Sequence, residues 1–252
     1  IMTIPLGFWS RFRLYFLFET FVTETGLGGS LHNCSPIDGV YKSRFSRVGT
    51  ITEDHSLAES LQIVHHPHPT LRHKSKPVQR VDGELVRVVR RMFDLMYEAK
   101  GIGLAANQVD LPLRLFVVNL AAQKGEGEEM VFINPVLSKP KGHEKMEEGC
   151  LSLPGVYGDV ERPKQITVHS FNLRGEEIKT ELDGMMSRVV QHETDHLDGR
   201  MFTDRLTETG KLSVRGLMEE FEVDFESKQN TGEIPVDSAL NSRRAELETR
   251  YC

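Results

Sequence analysis

Apolar positions recur at helical spacing in a stretch that runs from about residue 84 to residue 100. The residues of this stripe are Leu85, Val88, Val89, Met92, Leu95 and Met96. Their i, i+3, i+4, i+7 spacing places them on one face of a helix. Asp82 is a suitable N-cap before the stripe, and Gly101 and Gly103 follow it as helix breakers. The pattern therefore predicts a helix from about Glu84 to Lys100 with one buried face.

Short runs of β-branched and aromatic residues predict strands after this helix. They lie at 114–120, 130–138, 166–172 and 176–182. The last two are joined by Leu-Arg-Gly and indicate a hairpin. A second helix is predicted from about Gly184 to Asp198 with Gly199 at its end, and a third, shorter one at 217–225. Strands and helices together predict one mixed domain at 61–227.

Both ends of the chain differ from this middle region. Residues 1–60 combine an aromatic stretch that contains arginines with a loop-like stretch rich in Gly and Ser. They are interpreted as a disordered extension or as sequence translated upstream of the true start. Residues 228–252 are polar and charged, contain Pro235 and offer little to bury. A disordered tail is predicted there.

Composition narrows the class of protein. The chain has 252 residues, of which 38% are hydrophobic and 27% charged, as in a globular protein. Its net charge of −6 gives no support to binding of nucleic acid or of an anionic membrane. The sequence contains no run of about 18 apolar residues, so it predicts no membrane-spanning helix. The three cysteines are Cys34, Cys150 and Cys252, too few and too scattered for a disulfide framework, which favours a reducing compartment.

The second predicted helix carries the sequence QHETDH at 191–196. His192 and His196 are four residues apart, so they lie on the same helix face and can chelate one metal ion. Glu193 adjoins the first histidine, where a base acting on water would be placed. A catalytic site of this kind usually needs three protein ligands, so the sequence predicts a further ligand elsewhere.

The residues alone leave that third ligand open. Cys150 in EEGCLS lies within the predicted domain and is preceded by Gly149, which permits close approach of the backbone. A free cysteine is most often a small buried apolar residue. A zinc endopeptidase would take its third ligand downstream of the helix, where the candidates are Asp198, Asp204 and Glu208. The histidines at 65, 66 and 68 stand between prolines that keep the segment extended, so a surface loop is predicted there rather than a metal site.

Three separated motifs together resemble those of peptide deformylases. They are GIGLAANQ at 101–108, EEGCLS at 147–152 and QHETDH at 191–196, in this order. The resemblance covers roughly residues 61–225. It implies an α+β fold with antiparallel sheets packed around a central helix that bears the His-Glu-x-x-His motif. It also implies removal of the formyl group from the N-terminal methionine of new polypeptides. His68 departs from the family pattern, where an aspartate is usual, and Arg188 stands where an apolar residue is more usual.

The resemblance also implies residue roles at the metal. Cys150, His192 and His196 match the metal ligands, and Glu193 matches the general base. The expected ion is Fe²⁺, with Zn²⁺, Ni²⁺ or Co²⁺ able to substitute, because two imidazoles and one thiolate suit several divalent ions.

Further roles concern the substrate. The side-chain amide of Gln108 and the backbone N–H of Leu151 match the donors to the developing oxyanion, and Gly103 matches the residue whose backbone borders the substrate. A methionine side chain needs an apolar pocket beside the site. By their position next to the motifs, the candidates for this pocket are Ile102, Leu104, Met185 and Val189.

The expected partners are N-formylmethionyl nascent peptides, with transient association with the ribosome and no contact with nucleic acid or membrane. The expected location is a bacterial-type cytoplasm, and import into an organelle through the N-terminal segment stays an open alternative. Two other functions also stay open: a zinc endopeptidase, and a catalytically silent peptide-binding relative.

Overall fold

The computed structural model describes residues 57–252. The extension predicted at the N-terminus falls almost wholly outside these residues. The element boundaries below therefore concern the region from residue 57 onward.

The first helix, α1, spans Gly83–Glu98 and confirms the predicted stripe. The Asp82 side chain accepts hydrogen bonds from the backbone N–H groups of Glu84 at 3.1 Å and Leu85 at 2.9 Å, which satisfies donors at the start of the helix. Every residue of the predicted stripe is buried. The helix ends two residues earlier than predicted.

A five-stranded antiparallel sheet forms the larger β layer. Its members are β1 (Gly103–Ala105), β2 (Leu115–Val118), β3 (Met130–Lys141), β6 (Gln165–Phe171) and β7 (Glu177–Asp183). They are ordered β1-β2-β3-β6-β7, and each neighbouring pair is antiparallel. The four predicted strands correspond to β2, β3, β6 and β7, and the predicted hairpin is β6–β7.

The hydrophobic pattern did not predict the strands of the second sheet, which has two strands. It pairs β4 (Glu144–Cys150) with β5 (Leu153–Arg162). The charged residues of β4 hide its alternation, because Glu148 is buried although it is a carboxylate. Its burial depends on cationic partners distant in sequence, which a local pattern does not show.

The central helix, α2, spans Gly184–Leu197 and packs against both the large sheet and the motif that contains Gln108. All residues from 187 to 197 are buried. This confirms the predicted α+β arrangement, in which a central helix carries the histidine pair. Arg188, which departs from the family pattern, is buried on this helix as well.

The C-terminal part of the chain is more ordered than predicted. Helix α3 spans Glu208–Thr231, well beyond the predicted 217–225, and α4 spans Asp237–Tyr251. The prediction of a disordered tail at 228–252 is therefore wrong. The physical reason is that α4 buries Leu240, Leu247 and Tyr251, three widely spaced residues, two of which belong to the same apolar cluster as the stripe of α1. None of the helices described between residues 57 and 252 is long and apolar enough to cross a membrane.

Candidate metal centre and active site

Three buried side chains from two elements converge on one point. Cys150 ends β4, while His192 and His196 lie one turn apart on α2. One potential ligand atom from each residue lies within 4.8 Å of the other two. Cys150 Sγ is 3.3 Å from His196 Nε2. This distribution over two elements explains why sequence spacing alone could not select Cys150.

A buried cluster of charges orients His192 from behind. Its Nδ1 is 3.0 Å from Oε2 of Glu148, so the ring donates Nδ1–H to the carboxylate and keeps the lone pair of Nε2 for a metal ion. Arg162 donates two hydrogen bonds to the same carboxylate at 2.7 and 2.9 Å. Arg188 donates a third at 2.7 Å. Burial raises the pKa of Glu148, but the hydrogen bonds from His192 and Arg162 outweigh this and hold the pKa well below its usual range.

This charge cluster was missed by the sequence reasoning. Arg162 also donates to Asp195 on α2 at 2.6 Å, and Arg205 donates two hydrogen bonds to that aspartate at 2.5 Å. The sequence shows that these residues are charged, but it does not show which of them pair. The pairs are seen only in the fold.

The donor set fits a divalent metal ion. One sulfur and two imidazoles form a three-ligand set typical of catalytic sites. Burial lowers the pKa of His192 to about 4 and also lowers the pKa of His196, so both rings are neutral and can offer a lone pair. Burial raises the pKa of the Cys150 thiol. A cation at this point would favour the thiolate that binds metals.

The three acidic candidates for a third ligand downstream of the histidine pair are each hydrogen-bonded to a basic side chain. Asp198 accepts a hydrogen bond from Arg114 at 2.8 Å, Asp204 accepts one from Arg72, and Glu208 accepts one from Lys211. Among the described residues, the group that could hold a metal consists of Cys150 and the histidine pair. The ligand arrangement of the endopeptidase alternative is therefore absent from residues 57–252.

Glu193 lies against the first motif. A Cβ atom built on Gly103 would be only 2.6 Å from Oε1 of Glu193, so the backbone of Gly103 packs directly on this carboxyl. Glu193 is fully buried, and burial raises its pKa to about 7. A carboxyl in this range can both accept and donate a proton near neutral pH.

Gln108 is held with its amide NH₂ towards the ligands. Its Oε1 accepts a hydrogen bond from the backbone N–H of Ala105 at 2.9 Å. Its Nε2 donates to Sγ of Cys150 at 3.4 Å and to the hydroxyl of Ser152 at 3.3 Å. The structure thus brings Gln108 next to Cys150, and Leu151 follows that ligand in the turn between β4 and β5.

The residues predicted for the methionine pocket lie mainly in the core. Ile102 and Val189 belong to one apolar cluster, with Met185 packed against it, and Leu104 belongs to another. Val189 also lies beside Gly103. A cavity of about 310 Å³ that touches Cys150 and Leu151 is lined by other residues, among them Tyr157. The assignment of the methionine pocket therefore stays a prediction.

The three histidines near residue 65 do not form a second metal site in the described part of the chain. Their segment is less exposed than predicted, because His66 and His68 are buried. The prediction of a surface loop holds only for His65, which is exposed.

A buried Cys-His-His set with an adjoining carboxyl is typical of metal-dependent hydrolases. The family model described as polypeptide deformylase matches residues 60–212. The peptide deformylase of Rhodopirellula baltica is 54% identical over 191 residues, which cover 76% of this chain and 95% of that protein. The chloroplastic peptide deformylase 1B of Solanum lycopersicum is 38% identical, with coverage of 76% and 68%. This chain belongs to the peptide deformylase family, whose members are metallo-hydrolases.

Solved structures agree with this assignment. The peptide deformylase of Plasmodium falciparum superposes with a TM-score of 0.64 at 42% identity, covering 66% of this chain and 98% of that chain. A plant peptide deformylase 1B gives a TM-score of 0.66 at 38% identity, with coverage of 73% and 97%. The α+β fold and the deformylase family are thereby confirmed, and the zinc endopeptidase alternative is wrong.

Proposed function

We propose that this protein removes the formyl group from N-formylmethionyl nascent peptides, with Glu193 as the general base and Gln108 and Leu151 as oxyanion donors. The observation that carries the proposal is the convergence of Cys150, His192 and His196 within 4.8 Å of one another. The reaction itself is inferred from the membership of this chain in the peptide deformylase family.

A divalent ion held by these three residues would supply Lewis acidity for water and for the formyl carbonyl. Glu193 accepts the proton of the attacking water and later donates it to the departing amine. The Gln108 amide and the Leu151 N–H donate hydrogen bonds to the carbonyl oxygen as negative charge develops there. The new C–O bond forms, the C–N bond breaks, and the products are formate and a free α-amine.

The buried charge cluster supports these steps from behind. Glu148 fixes the tautomer and orientation of His192, while Arg162 and Arg188 keep Glu148 ionised. The Ser152 hydroxyl accepts a hydrogen bond from the Gln108 amide and helps to hold its NH₂ beside Cys150. These residues position the catalytic groups and do not touch the substrate in this proposal.

The ion itself is proposed to be Fe²⁺, with Zn²⁺, Ni²⁺ or Co²⁺ as substitutes. Support comes from a donor set that accepts several divalent ions. The expected location is a compartment that starts proteins with formylmethionine, since the relatives include a bacterial protein and a chloroplastic one. Nascent peptides at the ribosome are the expected substrates, and transient association with the ribosome would follow from that.

Formate release tests the proposal directly. The metal-loaded protein should release formate from formyl-Met-Ala-Ser and leave acetyl-Met-Ala-Ser and internal peptide bonds intact. Glu193→Gln should retain the metal, because the glutamate is not a ligand, and lose about 10²–10⁴-fold in turnover. Glu208→Gln is the matched control, since Glu208 lies exposed on α3. A metal-loaded protein that releases no formate would refute the proposal and favour a silent peptide-binding protein.

A further inference from the structure

Two cavities share part of their lining, and one of them touches Cys150. The first has a volume of about 310 Å³ and touches Cys150 and Leu151. The second has a volume of about 630 Å³ and extends to α3 and α4; it is called the C-terminal groove below. Ile63 and His65 line both cavities. The two cavities are therefore adjacent.

The far wall of the C-terminal groove lies outside the matched family region, which ends at residue 212. This wall is built by residues of α3, of α4 and of the turn that joins them. They include Phe225, Lys228, Glu233, Ile234 and Arg243. The groove therefore lies between the matched domain, which supplies residues such as Ile63 and Asp110, and the C-terminal helices.

Several contacts hold this wall in place. Phe225 packs edge-on against His68, with ring centroids 6.0 Å apart. Arg243 lies 3.4 Å from a carboxylate oxygen of the buried Asp110. Gln229 donates hydrogen bonds to the carbonyl of Pro235 at 3.1 Å and to Asp237 at 2.9 Å, which closes the turn between α3 and α4. The groove is preformed, and a ligand would not have to order it on binding.

We propose that the C-terminal groove binds the substrate polypeptide downstream of its first few residues, so that this protein prefers long formylated chains to short ones. The inference rests on the proposed function. A polypeptide whose formyl end lies at Cys150 must continue out of the site, and the groove adjoins the cavity next to that residue. Both volumes fall within the roughly 300–1,000 Å³ typical of ligand sites.

The lining of the groove indicates which peptides it favours. Apolar contact is offered by Phe225, Ile234 and Pro235. The charged residues of the lining are Lys228, Arg243, Asp110, Asp224 and Glu233, one more acid than base. Apolar and basic downstream residues should therefore bind better than acidic ones.

The experiment compares the tripeptide formyl-Met-Ala-Ser with two octapeptides that extend it by five residues. The added residues are Leu and Lys in one octapeptide and Leu and Glu in the other. We expect kcat/KM to be about tenfold higher for the Lys octapeptide than for the tripeptide, equivalent to burying roughly two methylene groups. The Glu octapeptide should show a smaller gain. Because these contacts are remote from the reacting bond, binding energy released there can raise kcat/KM.

The variant Ile234→Trp tests whether the dependence of kcat/KM on peptide length arises in the C-terminal groove, because the larger ring fills the groove away from Cys150. The ratio of octapeptide to tripeptide kcat/KM should fall to near one. Val223→Trp is the matched control, because Val223 lies on α3, is 68% exposed and does not line the groove. Circular dichroism and metal content verify that both variants are folded and loaded.

Equal kcat/KM for wild-type protein with the tripeptide and the octapeptides would overturn this inference while leaving the proposed function intact. A length effect that survives in Ile234→Trp would overturn the location in the groove. Wild-type protein that releases formate from neither peptide would overturn both proposals together.

Discussion

Gly103→Ala tests whether the first motif positions the carboxyl of Glu193, the proposed general base. The added Cβ would lie 2.6 Å from Oε1 of Glu193 and 2.9 Å from Cγ1 of Val189, whereas ordinary Cβ contacts begin at 3.4 Å. The carboxyl oxygen would therefore have to retreat by about 0.8 Å. Glu193 is fully buried in packed surroundings, so the shift changes its position relative to the metal ligands. A misplacement of about 1 Å can cost roughly 10²-fold in rate.

The expected result is a kcat for formate release about 10–100-fold lower than that of the wild type. Metal content and the far-ultraviolet circular dichroism spectrum should remain unchanged, because Gly103 is not a ligand. Gly216→Ala is the matched control, since a Cβ there meets nothing within 4 Å, and it should retain full activity. Wild-type kcat in a fully loaded Gly103→Ala protein would show that this contact does not set the position of Glu193.

Four further predictions concern the donor, the charge cluster, the C-terminal helix and the metal. Gln108→Leu should lower kcat by about 10²–10³-fold, and a change in KM alone would mean that Gln108 only positions substrate. Glu148→Gln should weaken metal affinity by about 10–100-fold in chelator competition, because His192 loses its anionic partner; unchanged affinity would contradict this role. Leu247→Ala should lower the free energy of unfolding in urea by about 2–3 kcal/mol with kcat unchanged, since Leu247 is buried; Leu212→Ala, at an exposed position, is the control, and an equal loss in both would refute the packing of α4. Protein loaded anaerobically with Fe²⁺ should be faster than the Zn²⁺ form and should lose activity in air, because Fe²⁺ and the thiolate can be oxidised; a zinc form that is equally fast and air-stable would identify zinc as the native ion.

Local patterns predicted those elements whose burial is decided by neighbours in sequence. The stripe of α1, with Asp82 before it and glycines after it, specifies a helix without reference to the rest of the chain. The pair β6–β7 is similarly local because a short turn joins the strands. The His192–His196 pair needs only helical spacing. These features were therefore readable from the sequence.

Other features depend on contacts between distant segments. Glu148 can be buried in β4 only because Arg162 and Arg188 surround it, so a local pattern suggests an exposed, charged stretch instead. Helix α4 has few apolar residues. Two of them are buried because they join the apolar cluster that contains the stripe of α1. Judged by sequence spacing, Cys150 is one of several candidates for the third ligand. The resemblance to peptide deformylases selects it. The fold then placed it beside the two histidines.

The share of α4 in the apolar cluster of α1 has a consequence for biosynthesis. The ends of these helices, Glu98 and Tyr251, are about 150 positions apart along the chain, yet Leu247 and Tyr251 cover the same apolar cluster as α1. At about 5–20 residues per second, the ribosome needs roughly 8–30 s to synthesise that distance. During this time part of the core is uncovered and open to association with other chains. An enzyme that processes nascent chains is thus itself a nascent chain whose folding is completed late, and its yield in cells should depend on whatever shields that surface in the interval.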